Sequence, residues 1–142
     1  MIKGQSLFEV VIALGISAVI ITALVALVAS SIRNTTFSKD KTVAGSLAQE
    51  AVEWLRNQRD QSITTFRTNA QGTRCLKILG WSGACQSGDE IIGTKFMREA
   101  VFTTSQISGK TVIVATVKVY WSDSQGSREV RSVTNFTDWR ER

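Results

Sequence analysis

From Leu7 to Ala29 the chain is one apolar run, interrupted by Gly15, Ser17, Thr22 and a single acid, Glu9. About 20 apolar residues, rising 1.5 Å each as a helix, are enough to cross a bilayer. Nothing charged lies between Glu9 and Arg33. An ionised carboxylate is costly in hydrocarbon and marks function where it is kept. Near one end of the run it snorkels toward headgroups, which lowers that cost. Whatever this chain folds into must therefore start from a helix that lies in lipid or packs among other apolar helices.

The tetrapeptide ahead of the run, Met1-Ile2-Lys3-Gly4, is short, carries a positive charge and ends in glycine. The stretch Lys3-Gly4-Gln5-Ser6-Leu7-Phe8-Glu9-Val10-Val11-Ile12-Ala13-Leu14 resembles the N-terminal signature of type IV prepilins and type II secretion pseudopilins. That resemblance implies a membrane prepilin peptidase that cuts between Gly4 and Gln5 and methylates the new amine of Gln5. Residues 1–4 are then a leader with Lys3 as its charge. Glu9 becomes the fifth residue of the trimmed chain, which is the register of the family's glutamate. In the assembled filament the resemblance gives Glu9 a cation, the Gln5 amine of a neighbouring subunit. Two positions depart from the pattern: Gln5 stands where an aromatic residue is usual, and the helix has no proline.

Two other readings of the same residues stay open. A secretory signal has an apolar core of roughly 7–15 residues and is cut after it. Leu27-Val28-Ala29 before Ser30 offers such a site, although this run is longer. An uncut signal anchor is the other. Both leave Glu9 without a role.

The 142 residues suit one globular domain beyond a membrane helix. We expect a leader at 1–4, a transmembrane or filament-core helix at 5–32, and a globular part at 33–142 large enough for a modest core. All sixteen basic residues other than Lys3, and eleven of the twelve acids, fall in that part, giving it +5. The charge is interspersed, so contact with nucleic acid is possible but not indicated. Cys75 and Cys85 are the two cysteines. An even count on a chain exported behind an anchor suggests a disulfide. Closing a loop of that size contributes roughly 2–3 kcal/mol.

From Arg33 to Phe66 there is no proline and one glycine, Gly45. Val43/Ala44, Leu47, Ala51 and Trp54/Leu55 recur at spacings of three and four, an apolar stripe opposed by Lys39, Lys41, Gln49, Glu53, Arg56 and Arg59. Residues 7 to about 66 read as one helix, its amphipathic half at 33–67, ended by Thr68-Asn69-Ala70-Gln71-Gly72-Thr73. A disulfide loop region at 68–94 follows. Beyond it the period changes to two. Within Thr111–Trp121, residues Ile113, Ala115, Val117, Val119 and Trp121 form one apolar face of a strand. Ser122–Ser127 turns the chain, Arg128–Phe136 returns, and Lys95–Thr104 supplies another strand through the loop at Gln106-Ile107-Ser108-Gly109. These make an antiparallel meander of three or four strands within 95–137. The fold class expected is α+β, pilin-like: a long N-terminal helix packed on a small antiparallel sheet.

The phrases Val117-Lys118-Val119-Tyr120-Trp121-Ser122-Asp123 and Thr134-Asn135-Phe136-Thr137-Asp138-Trp139-Arg140 resemble V-type minor pilins and I-type minor pseudopilins. Trp121 and Trp139 read as packing residues. The chain has no histidine, so no Ser/His/Asp or Cys/His arrangement exists, and no enzymatic activity or cofactor is expected. Two thiols without histidine do not make a zinc site. Asp89-Glu90 and Asp123-Ser124-Gln125 lack a full calcium set. The expected role is a structural subunit, a minor pilin, of a type IV filament. Its partners are the prepilin peptidase and methylase, other pilin subunits, an inner-membrane assembly platform, and lipid before assembly. The alternatives are a minor pseudopilin of a type II secretion system and a monomeric membrane-anchored extracellular binding domain.

Overall fold

The computed structural model describes residues 3–107 and 110–138, with side chains from Leu7 onward. The elements in chain order are α1 (Lys3–Gln61), α2 (Ile63–Asn69), β1 (Gly72–Cys75), β2 (Met97–Ile107), β3 (Lys110–Asp123) and β4 (Gly126–Thr137). Contacts divide the chain into two units, one ending at Asp40 and the other beginning at Lys41.

The first unit is α1 alone, and its large apolar side chains from Leu7 to Ile32 stand exposed. No proline interrupts it, and its hydroxyls turn back on their own helix. Ser17 donates to the Ala13 carbonyl at 2.8 Å, and Thr22 to those of Ala18 and Val19 at 3.1 and 2.9 Å. Both hydroxyls in the run thus find acceptors on their own helix, which lowers their cost in hydrocarbon.

In the second unit α1 continues to Gln61 as an amphipathic helix. Ala44, Ala48, Ala51, Val52 and Leu55 are buried, while Val43, Leu47 and Trp54 flank them half-buried. The expected stripe therefore forms the contact, centred on its small residues. Glu53 and Arg56 pair on the opposite face at 2.5 Å, a contribution of a few tenths of a kcal/mol.

The helix does not run on to residue 66. Ser62 is extended, with φ −159 and ψ 106, and its hydroxyl accepts from the Thr65 N–H as the N-cap of α2. A hydroxyl residue followed by the β-branched run Ile63-Thr64-Thr65 makes a new cap easier than continued helix. The break lets Phe66 reach the core, where it is 1 % exposed. Its ring lies 5.0 Å from Phe136, 5.8 Å from Trp81 and 6.4 Å from Phe102.

The sheet is antiparallel throughout, in the order β1-β2-β3-β4. Three of its strands follow the expected meander, but each is longer than expected. The fourth, β1, lies inside the segment expected to be loop. Gly72 opens it at φ 63, a left-handed backbone that favours glycine. The turn between β3 and β4 shrinks to Ser124 and Gln125, because Asp123 pairs with Gly126. Ala100 and Phe102 from β2, alternate residues Ile113 to Trp121 from β3, and Phe136 from β4 face the helices. Helix and sheet bury one another's apolar faces, and that burial holds the unit together.

Candidate functional site

Glu9 is exposed on α1 among Leu7, Phe8, Val10 and Val11, all more than half exposed. No ion pair reaches it among the described residues. The next charge along the helix, Arg33, is 24 positions away, about 36 Å at helical rise. That length matches a hydrocarbon core with its interfaces. Such a helix is long and apolar enough to cross a membrane. Lys3, Gly4 and Gln5 have helical backbone in α1, and their side chains lie outside the described residues, as does Trp139.

Cys75 and Cys85 are joined, with Cα atoms 4.6 Å apart. The loop they close folds against the end of β1. The Cys75 N–H donates to the Gly83 carbonyl at 2.6 Å, and the Ser82 hydroxyl donates to the Cys75 carbonyl at 2.6 Å. The loop also delivers Trp81, whose indole N–H donates to Gln58 on α1 at 3.3 Å and whose ring lies 5.0 Å from Trp54. An open cleft of about 530 Å³ beside it is lined by Lys77, Ile78, Trp81, Gln86 and Asp89.

Arg98 is a functional side chain that no motif in the sequence singles out. It sits on β2 at 2 % exposure and donates to the Leu76 carbonyl at 3.0 Å, the Leu47 carbonyl at 2.9 Å and the Glu50 carboxylate at 2.6 Å. One guanidinium thus ties the sheet, the start of the disulfide loop and α1, using the fork of donors that only arginine carries. Strand parity offers a signal, since Phe96, Arg98, Ala100 and Phe102 share a face.

On the other face, Lys118 pairs with Glu99 at 3.3 Å. Burial first, then the carboxylates of Glu99, Asp89 and Glu90, push the Tyr120 phenol above its ordinary pKa. The acids weighed as calcium ligands serve local geometry. Asp89 accepts from the Gln86 N–H and faces Lys77, and Asp123 accepts from the Gln125 N–H and faces Arg128. No cluster of three or more metal-ligating side chains occurs among the described residues.

Comparison with family models, with curated proteins and with solved structures found no match for the chain.

Proposed function

We propose that this chain is a structural subunit of a type IV filament, a minor pilin trimmed between Gly4 and Gln5 and assembled through its N-terminal helix. One observation carries the reading: a single carboxylate, Glu9, stands near the start of an exposed apolar helix, five residues after a glycine that follows a lysine. A lone acid in lipid needs a cation. Cutting at Gly4 creates one at Gln5, so processing and assembly become a single chemical event. The layout of a long N-terminal helix with a small antiparallel sheet is compatible with a pilin-like subunit.

Before assembly the chain is a single-pass protein of the cytoplasmic membrane with its N-terminus inside. Afterwards apolar stripes of Leu7 to Ala29 bury against one another in a filament core, and the second unit faces outward on a cell-surface pilus. The same subunit chemistry serves a periplasmic pseudopilus, the reading favoured by the resemblance of Val117–Asp123 to I-type pseudopilins. The N-terminus of the native protein, determined by mass spectrometry, tests both. A chain that begins at Gln5 and is heavier by one methyl group supports a processed filament subunit. A chain that begins at Met1 or Ser30 rejects it.

A further inference from the structure

One end of the sheet is uneven. Met97 opens β2 opposite Tyr120, whereas β3 stays paired with β4 as far as Asp123. The chain enters β2 through a turn that satisfies its own backbone. The Ile91 N–H donates to the Phe96 carbonyl at 2.8 Å, and the Thr94 N–H and hydroxyl donate to the Ile91 carbonyl at 2.9 and 2.8 Å. Between this turn and the end of β3 lies a cavity of about 400 Å³, lined by Glu90, Lys95, Met97, Tyr120, Trp121 and Ser122. That volume is in the range of ligand sites.

The lining includes a donor that the chain itself leaves unused. Trp121 is 3 % exposed, and its indole N–H finds no acceptor among the described residues. Trp81, by contrast, gives its indole N–H to Gln58. Buried polar groups in folded proteins are nearly always paired, so an orphan on a residue that walls a cavity points to an acceptor brought by a ligand. Charge then narrows the ligand. Glu90 and Lys95 set opposite charges in one lining, which favours neither an anion nor a cation. Tyr120 adds a phenol that burial, then the carboxylates of Glu99, Asp89 and Glu90, keep protonated and able to donate. The fitting group is neutral, accepts from N–H or O–H and donates to a carboxylate. A carboxamide does both, with two lone pairs on its oxygen and two hydrogens on its nitrogen. The same turn carries Ile92 at 77 % exposure, an apolar foothold that suits a polypeptide better than a free amide or a sugar.

We propose that this cavity receives the carboxamide side chain of a glutamine or asparagine from a partner polypeptide. The amide oxygen accepts from the Trp121 indole, the amide nitrogen donates to Glu90, and an apolar neighbour in the partner rests on Ile92. Glu90 is exposed and makes no ion pair among the described residues, so its carboxylate is open to that donor. The site depends neither on trimming at Gly4 nor on filament assembly, and it stands without them.

The test uses the full chain, nitrogen-labelled, in phosphocholine micelles. The probes are a capped tripeptide with glutamine between two leucines, and twins with glutamate, lysine or serine at the centre. The Trp121 indole N–H resonance, assigned through its bonds to the backbone, is followed by NMR. The glutamine peptide is expected to move it downfield and to bind about tenfold more tightly than each twin. Glu90→Leu, a change at an exposed position, should weaken the glutamine peptide about three- to tenfold. The proposal is overturned if the glutamine peptide leaves the resonance in place up to its solubility limit, or if the four peptides bind equally. It is also overturned if Glu90→Leu binds as the wild type does. A larger response to N-acetylglucosamine assigns the cavity to a carbohydrate, and a response to protein concentration alone assigns it to a second copy; either result rejects the partner polypeptide.

Discussion

The guanidinium of Arg98 on β2 meets the carboxylate of Glu50 on α1 at 2.6 Å, and the two ends of this pair sit in different solvents: the Arg98 side chain is 3 % exposed, that of Glu50 53 %. The two partners should therefore respond unequally to mutation. Arg98→Ala removes three donated bonds, strands the Leu76 carbonyl and opens a cavity, at a cost of about 2–4 kcal/mol. Glu50→Gln keeps an acceptor and a solvated side chain, so about 1 kcal/mol or less is expected. Denaturant melts of the two variants check the order, and equal losses would count against it.

Phe66 reaches the core through the break at Ser62, and each half of that device has its own expected cost. Phe66→Ala should lose about 3–5 kcal/mol by emptying the centre of the aromatic cluster. Ser62→Ala should lose about 1 kcal/mol, the usual worth of an N-cap. Thermal unfolding resolves the two.

Opening the Cys75–Cys85 bond should lower stability by roughly 2–3 kcal/mol, for a closed loop of this size. Unfolding midpoints with and without reductant give the figure. The Cys75→Ser, Cys85→Ser double variant should match the reduced protein.

Tyr120 is the single tyrosine of the chain, so its phenolate absorbance can be followed without ambiguity. Burial and neighbouring carboxylates hold the folded phenol above its ordinary pKa. The folded state thus keeps its proton where the unfolded state has lost it. The linked stability is fully present below the unfolded pKa of about 10 and is lost as pH rises through the higher folded value. A phenol titrating at or below the model-peptide value in the folded protein would contradict this.

Under the filament reading, Glu9→Val should still insert into the membrane and be trimmed at Gly4. It should fall out of the sheared filament fraction by about tenfold or more, because the Gln5 amine loses its counter-charge in a low-dielectric core. Wild-type incorporation of this variant would favour a monomeric anchored domain.

What the sequence makes legible depends on periodicity. Ile113 to Trp121 alternate without fault, and the core face of β3 follows from them directly. Beyond Thr104, β2 continues as a ribbon whose residues to Ile107 are exposed on both faces, so apolar alternation stops before the strand does. β1 is Gly72-Thr73-Arg74-Cys75, with no period to find, and its pairing with β2 is a tertiary fact. Ser62 is a capping residue type, but no glycine or proline beside it marks the break in the helix. Of the candidate site, Gly4 and Glu9 rest on sequence, and the Cys75–Cys85 pairing followed from count and context. Nothing local to Met97-Arg98-Glu99 distinguishes a buried arginine from a solvated one. What separates them is Leu47, Glu50 and Leu76, which come together only in the fold.

The disulfide at the end of β1 also sets a clock. Until Cys75 and Cys85 are oxidised, hydrogen bonds alone, from the Cys75 N–H to Gly83 and from the Ser82 hydroxyl to the Cys75 carbonyl, hold this part of the loop against the end of β1. The interval between synthesis and thiol oxidation is then the period in which the chain is most exposed to mispaired strands. Oxidation ends that interval by fixing the loop covalently where β1 ends.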